Sequence, residues 1–124
     1  MSELTDAQRQ GLEAFRDFRI SLQELPGTQQ GRLRFDFASS GHYTRSLDRA
    51  GSPAEPGVPV RREHLVYAYK KFAAAEVDTA QLAHWASMIT MNDDYDFDEN
   101  DQELIADWLN SVVVDGVITE PNPK

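Results

Sequence analysis

VRREHLVYAYKKFAAAEVDTAQLAHWASMITMNDDYDFDENDQELIADWLNSVV, residues Val60–Val113, is the stretch whose reading decides the architecture. Apolar residues recur along it at helical spacing three times: Leu65, Ala68, Tyr69 and Phe72; then Leu82, Trp85, Ala86 and Ile89; then Leu104, Ile105, Trp108, Leu109 and Val112. The pattern predicts three consecutive amphipathic helices. The first runs from about Arg61 to Ala75 and lacks a good cap, since Val60 and Arg61 stand where Ser, Thr or Asp is preferred. The second starts cleanly: Asp78 caps it, Gln81 closes the reciprocal box, and Val77 is placed to staple onto Leu82. Before the third comes the carboxylate run Asp93-Asp94-Tyr95-Asp96-Phe97-Asp98-Glu99-Asn100-Asp101, in which Asp98 or Asn100 is the expected cap. Asp98, Glu99, Asp101 and Glu103 also complement that helix's dipole, so part of the acidity has a structural explanation.

Upstream, Thr5 and Gln8 form a capping box for an N-terminal helix whose stripe is Leu12, Phe15, Phe18, Leu22 and Leu25, expected to stop at Pro26-Gly27. Arg9, Arg16 and Arg19 lie off that stripe and read as solvated charges. Arg32-Leu33-Arg34-Phe35-Asp36-Phe37-Ala38 alternates polar and apolar residues like a strand with Leu33, Phe35 and Phe37 facing the core. Its candidate partners are Tyr43–Leu47, across a turn at Ser39–His42, and the segment Val112–Thr119. From Asp48 to Pro59 the density of Gly and Pro predicts a surface loop without strand or helix. Asp115-Gly116 between β-branched runs reads either as a hairpin turn or as a helix end. The preferred reading is a helix finishing near Ser111 and then a short extended piece, with a frayed tail over 120–124.

The chain of 124 residues is therefore expected to be one α+β domain, mostly helical: about four helices with a short two- or three-stranded antiparallel β element. Residues 1–58 hold the first helix, the β segment and the loop, and 59–119 form a three-helix acidic module. Cysteine is absent, which excludes disulfides, thiolate catalysis and cysteine metal sites. The N-terminus shows no signal-peptide pattern, and no window is apolar enough to span a bilayer, so a cytoplasmic protein is expected.

The net charge of −9 is unevenly placed. Met1–Lys71 carries 11 Arg and Lys against 9 Asp and Glu, whereas Phe72–Pro123 carries 12 Asp and Glu and no Arg or Lys. Such a one-sign field repels phosphate and anionic lipid and attracts basic proteins, which argues against nucleic acid or membrane as partner.

Chemical motifs are sparse. A calcium loop starting at Asn92 places oxygens at Asn92, Asp94, Asp96, Asp98 and Glu103, but Phe97 occupies the position that needs glycine; starting at Asp94 puts Ile105 where the bidentate acid belongs. No metal or other cofactor is expected. The carboxylates lack the burial that would raise a carboxyl into catalytic range, and no histidine is near them in sequence. His42, His64 and His84 are singletons without a second ligand one turn away. There is no nucleophile elbow, phosphate loop or dinucleotide fingerprint. An enzyme is not the expectation. Trp85 and Trp108 fall on inner stripes, Tyr67 points outward, and Tyr95 and Phe97 are either a plug under the acidic turn or an exposed recognition tip.

Arg62-Glu63-His64-Leu65, Ala73-Ala74-Ala75-Glu76-Val77-Asp78, Leu82-Ala83-His84-Trp85-Ala86, Ile105-Ala106-Asp107-Trp108-Leu109-Asn110 and Gly116-Val117-Ile118-Thr119 resemble a helical module of small bacterial immunity-like proteins, over roughly residues 60–119. The resemblance implies binding and neutralising a cognate toxin inside the producing cell. The charge reading agrees, because a nuclease toxin presents a basic groove that an acidic surface can occupy. The expected function is a protein-binding inhibitor that meets a basic partner through Asp93, Asp94, Tyr95, Asp96, Asp98, Glu99 and Asp101. The alternatives are a nucleic-acid-mimicking inhibitor or adaptor of a DNA-binding protein, or an enzyme or metal-binding protein whose site the sequence hides.

Overall fold

The computed structural model describes residues 4–29, 33–37, 44–49 and 57–121, and for 33–37 and 44–49 it describes the backbone pairing alone. The turn at Ser39–His42, the facing of Leu33, Phe35 and Phe37, most of the Gly/Pro-rich loop and residues 122–124 lie outside the described residues.

Helix α1 (Asp6–Arg16) begins as its sequence dictates: the Thr5 hydroxyl accepts the Gln8 N–H at 3.1 Å and the Gln8 side chain accepts the Thr5 N–H at 2.9 Å. It ends at Arg16, about two and a half turns before Leu25, where its apolar stripe was expected to end. Phe18 adopts φ 62°, a left-handed conformation that reverses the chain and lays its ring on Trp85, centroids 5.0 Å apart. A second capping box, Ser21 with Glu24, then restarts the chain in a short helix α2 (Leu25–Thr28). Pro26 and Gly27, expected as a stop, lie inside it, because a proline in the first turn of a helix gives up only an N–H that has no partner within the helix. Arg16 is also not a solvated charge. It is 9% exposed, grips both Asp17 carboxylate oxygens at 2.9 and 3.1 Å, and donates to the Pro59 carbonyl at 2.8 Å.

Strands β1 (Leu33–Phe37) and β2 (Thr44–Arg49) pair antiparallel, with a register shift between Asp36 and Phe37. The expectation of an antiparallel β element alone is corrected by the second pair. β3 (Val58–Val60) and β4 (Tyr95–Phe97) run parallel, Val58 opposite Tyr95 and Val60 opposite Phe97. Parallel strands require a long crossover, and two helices provide it: α3 (Arg62–Ala73) and α4 (Thr79–Met91). This pair forms in what reads as the end of a breaker-rich loop because Pro59 sits where its missing donor is harmless. Val58 N–H donates to the Asp94 carbonyl at 2.8 Å and Asp98 N–H to the Val60 carbonyl at 2.9 Å, so the residues around the proline make the ladder. The Pro59 carbonyl is taken by Arg16.

The start of α3 does have a cap, supplied by an unexpected residue. His64 Nδ1 accepts the Arg61 N–H at 2.8 Å, doing the work of the usual Glu or Gln at the third helical position. The Asp78–Gln81 box at α4 forms as predicted, with both bonds at 2.7–2.8 Å. After β4, a 3-10 turn (Glu99–Asp101), in which Asp98 accepts the Asn100 N–H, leads into α5 (Gln102–Asn110). The helix widens into a π segment (Ser111–Asp115) that Gly116 closes at φ 64°. Val112–Thr119 is thus the end of a helical run, which continues to Asp115 rather than finishing near Ser111, followed by chain without regular structure, and it pairs with no strand among the described residues.

The core gathers Leu12, Phe15 and Leu25 from the N-terminal helices, Val58 and Val60 from β3, Leu65 and Ala68 from α3, and the expected stripes of α4 and α5. Trp85 and Trp108 are both buried, and each indole N–H is satisfied, by the Phe15 carbonyl at 3.2 Å and the Thr119 carbonyl at 2.8 Å. No helix among the described residues is long and apolar enough to cross a membrane.

Candidate functional site: the acidic surface around β4 and α5

The seven residues expected to face a partner are divided by the geometry of β4. An extended chain alternates its side chains, so Tyr95 turns inward, Asp96 outward, and Phe97 half inward against the core. Tyr95 is 6% exposed, and its hydroxyl donates to the Leu12 carbonyl at 2.6 Å; burial pushes the phenol well above its ordinary value. It is the plug under the turn rather than a recognition tip. Asp94 is fully buried as well. Its N–H donates to the Asn92 side-chain oxygen at 3.0 Å, an Asx turn, and its carbonyl receives Val58 N–H. A solvent-facing role is therefore corrected for both Asp94 and Tyr95.

Gly57 explains how closely β3 and β4 approach here. A Cβ on it would lie 2.9 Å from both the Asp94 carbonyl oxygen and the Asp96 Cβ. The same packing removes the calcium reading of the run: the Asn92 oxygen is committed to a backbone N–H, Asp94 is inside, and Asp96 points away from both. Among the described residues no three His, Cys, Asp or Glu side chains converge on a point where a metal ion would sit.

Outside, Asp93, Asp96 and Glu99 are exposed and Asp98 is half-buried. Asp101 is held by the Arg62 guanidinium at 2.7 Å, a pair partly shielded from water and tying α3 to the start of α5. Glu99 and Glu103 line a shallow hollow of about 440 Å³ with that pair. Glu103 and Asp107, one helical turn apart on the exposed side of α5, extend the carboxylates along the helix, and among the described residues no ion pair engages Asp96, Glu99, Glu103 or Asp107. The acidic surface thus combines the outward half of the expected run with two acids of α5.

A larger groove of about 910 Å³ separates the segment after α1 from the α3–α4 turn, floored by Phe15, Phe18 and Trp85 and edged by Arg19, Lys71 and His84. Tyr67, exposed as expected, lies beside it, with its ring 6.3 Å from Phe18 and the Lys71 ammonium 5.3 Å above its face. Sequence reasoning misses this groove because it depends on the reversal at Phe18, and a left-handed phenylalanine leaves no mark in an apolar pattern. No protein-family model, curated protein or solved structure matches this chain.

Proposed function

We propose that this chain is a protein-binding inhibitor of the immunity type, which neutralises a basic toxin, in its nuclease form by occupying the groove that would take phosphates. The observation that carries the reading is the absence of Arg and Lys from Phe72 to Pro123, together with the exposed carboxylates Asp93, Asp96, Glu99, Glu103 and Asp107 on that stretch. Charges of one sign on an open face speed encounter with an opposite partner and make the association depend on salt. Asp101 contributes through its pair with Arg62, which orients the 3-10 turn rather than meeting a partner directly.

The test is a binding titration, at low and at high salt, against the product of the neighbouring gene, which the proposal requires to be a basic protein. Affinity is expected to fall as salt rises. The variant carrying Asp96→Asn, Glu99→Gln, Glu103→Gln and Asp107→Asn is expected to bind at least about tenfold more weakly at low salt while keeping its helical circular dichroism. Full-strength binding by that variant overturns the proposal.

A further inference from the structure

The exposed side of α5 changes character at its end. Glu103, Ala106, Asp107 and Asn110 face solvent, as the outward stripe of a surface helix should. One turn on, Val113, Val114 and Val117 are 40%, 69% and 50% exposed, and with Tyr67 they are the exposed large hydrophobic residues among the described side chains. Core packing does not account for them, since Val112 fills the inward position of that turn. Helix propensity does not account for them either, because β-branched residues are poor helix formers.

The platform that presents these valines is fixed from beneath. Gly116 closes the π segment, and Val117 N–H donates to the Ser111 carbonyl at 3.0 Å. Beyond it the Trp108 indole holds Thr119, Ile118 packs against the core, and Pro121 is buried. A pre-ordered apolar patch loses little freedom when something covers it, and valine loses little side-chain entropy. Next to the patch along the chain are Asp115, Glu120 and, about two helical turns before Val114, Asp107, all exposed and engaged in no ion pair among the described residues.

That surround selects the occupant. A second copy brings a net charge of −9 and the same acidic rim, and an anionic membrane brings the same sign again. We propose that Val113, Val114 and Val117 are the apolar centre of the partner interface, and that they receive an amphipathic segment of a protein whose apolar side chains are flanked by Lys or Arg. The inference rests on the cationic-partner reading and adds to it the place where the desolvated contact forms. Carboxylates then steer the partner, and the valines retain it.

The experiment uses the full chain, isotopically labelled, and two synthetic helical peptides of equal charge, one of Lys and Leu and one of Lys and Ala. The Lys/Leu peptide is expected to bind more tightly and to shift the amide resonances of Val113, Val114, Gly116 and Val117. Val114→Ser, at a position exposed enough to leave the fold intact, is expected to weaken that peptide about tenfold and to leave the Lys/Ala peptide unchanged. Equal binding of both peptides, with shifts confined to Asp93–Glu99, overturns the valine patch while the cationic-partner reading stands. If neither peptide binds at low salt, both readings are overturned. A dimer in sedimentation that Val114→Ser dissolves assigns the patch to a second copy, which also overturns the inference.

Discussion

Between Asn92 and Tyr95 the chain takes an amide, a carboxylate residue and a phenol into the interior; between Val113 and Val117 it leaves three valines in water. The two regions depart from hydrophobic sorting in opposite directions, and each departure has a backbone cause. At the first, three polar contacts are satisfied in place: Asn92 holds the Asp94 N–H, Val58 holds the Asp94 carbonyl, and Tyr95 reaches the Leu12 carbonyl. Burial of such groups is tolerable when their partners are built in, as they are for Asn92 Oδ1 and the Tyr95 hydroxyl; Asn92 Nδ2 is buried with no hydrogen-bond partner among the described residues and is a local cost. At the second, the helical period gives Val112 the inward position and rotates its neighbours outward. The first region contributes to the fold, whereas the second costs it little and is available for contact.

The largest effect is expected where the buried region is broken. Tyr95→Ala empties the space beneath β4 and removes the bond to Leu12, and should cost about 3–5 kcal/mol in urea unfolding. A change within experimental error would mean that the β3–β4 pair does not depend on this anchor.

A smaller, pH-dependent effect is expected at the join between β3 and α3, next to the buried region. Burial, and after it the Arg16 guanidinium, hold the His64 imidazole below its ordinary value of 6.5; Arg61 adds to this, and Asp17 and Glu63 oppose it. The unfolded chain therefore takes up the proton first as pH falls. Stability is complete above about pH 6.5 and declines on acidification through the lowered native value, where Nδ1 can no longer accept the Arg61 N–H. His64→Gln should keep the cap and flatten that part of the stability-versus-pH curve. An unchanged curve would assign the acid response to other groups.

The smallest effect belongs to the exposed region. Val114→Ser should alter folding stability by no more than about 0.5 kcal/mol, as measured by thermal unfolding. A loss several times larger would show that the valines belong to the core and would erase the contrast between the two regions.

The parts of this fold that announce themselves in the sequence are those fixed by contacts three or four residues apart. The Thr5–Gln8 and Asp78–Gln81 boxes and the stripes Leu82-Trp85-Ala86-Ile89 and Ile105-Leu109-Val112 depend on local geometry alone. The β3–β4 pair does not. Val58-Pro59-Val60 and Tyr95-Asp96-Phe97 are too short to show a period, and each becomes a strand only beside the other. The Ser21–Glu24 box was written in the chain but masked by the Pro26-Gly27 signal that follows it. The His64 cap escaped because an imidazole acts as an acceptor there only in its neutral form. At the acidic surface the sequence marks the charge and its sign; which side of the strand each carboxylate occupies depends on the close approach that Gly57 permits.

The parallel pairing of β3 with β4 also sets an order of events during synthesis. One strand precedes both crossover helices and the other follows them, so the nascent polypeptide cannot zip this ladder until the stretch through Asp98 has cleared the ribosome exit. Until then Val58 and Val60 have no partner strand, and the earlier helices wait for β4 and α5 to emerge before their shared interior can close.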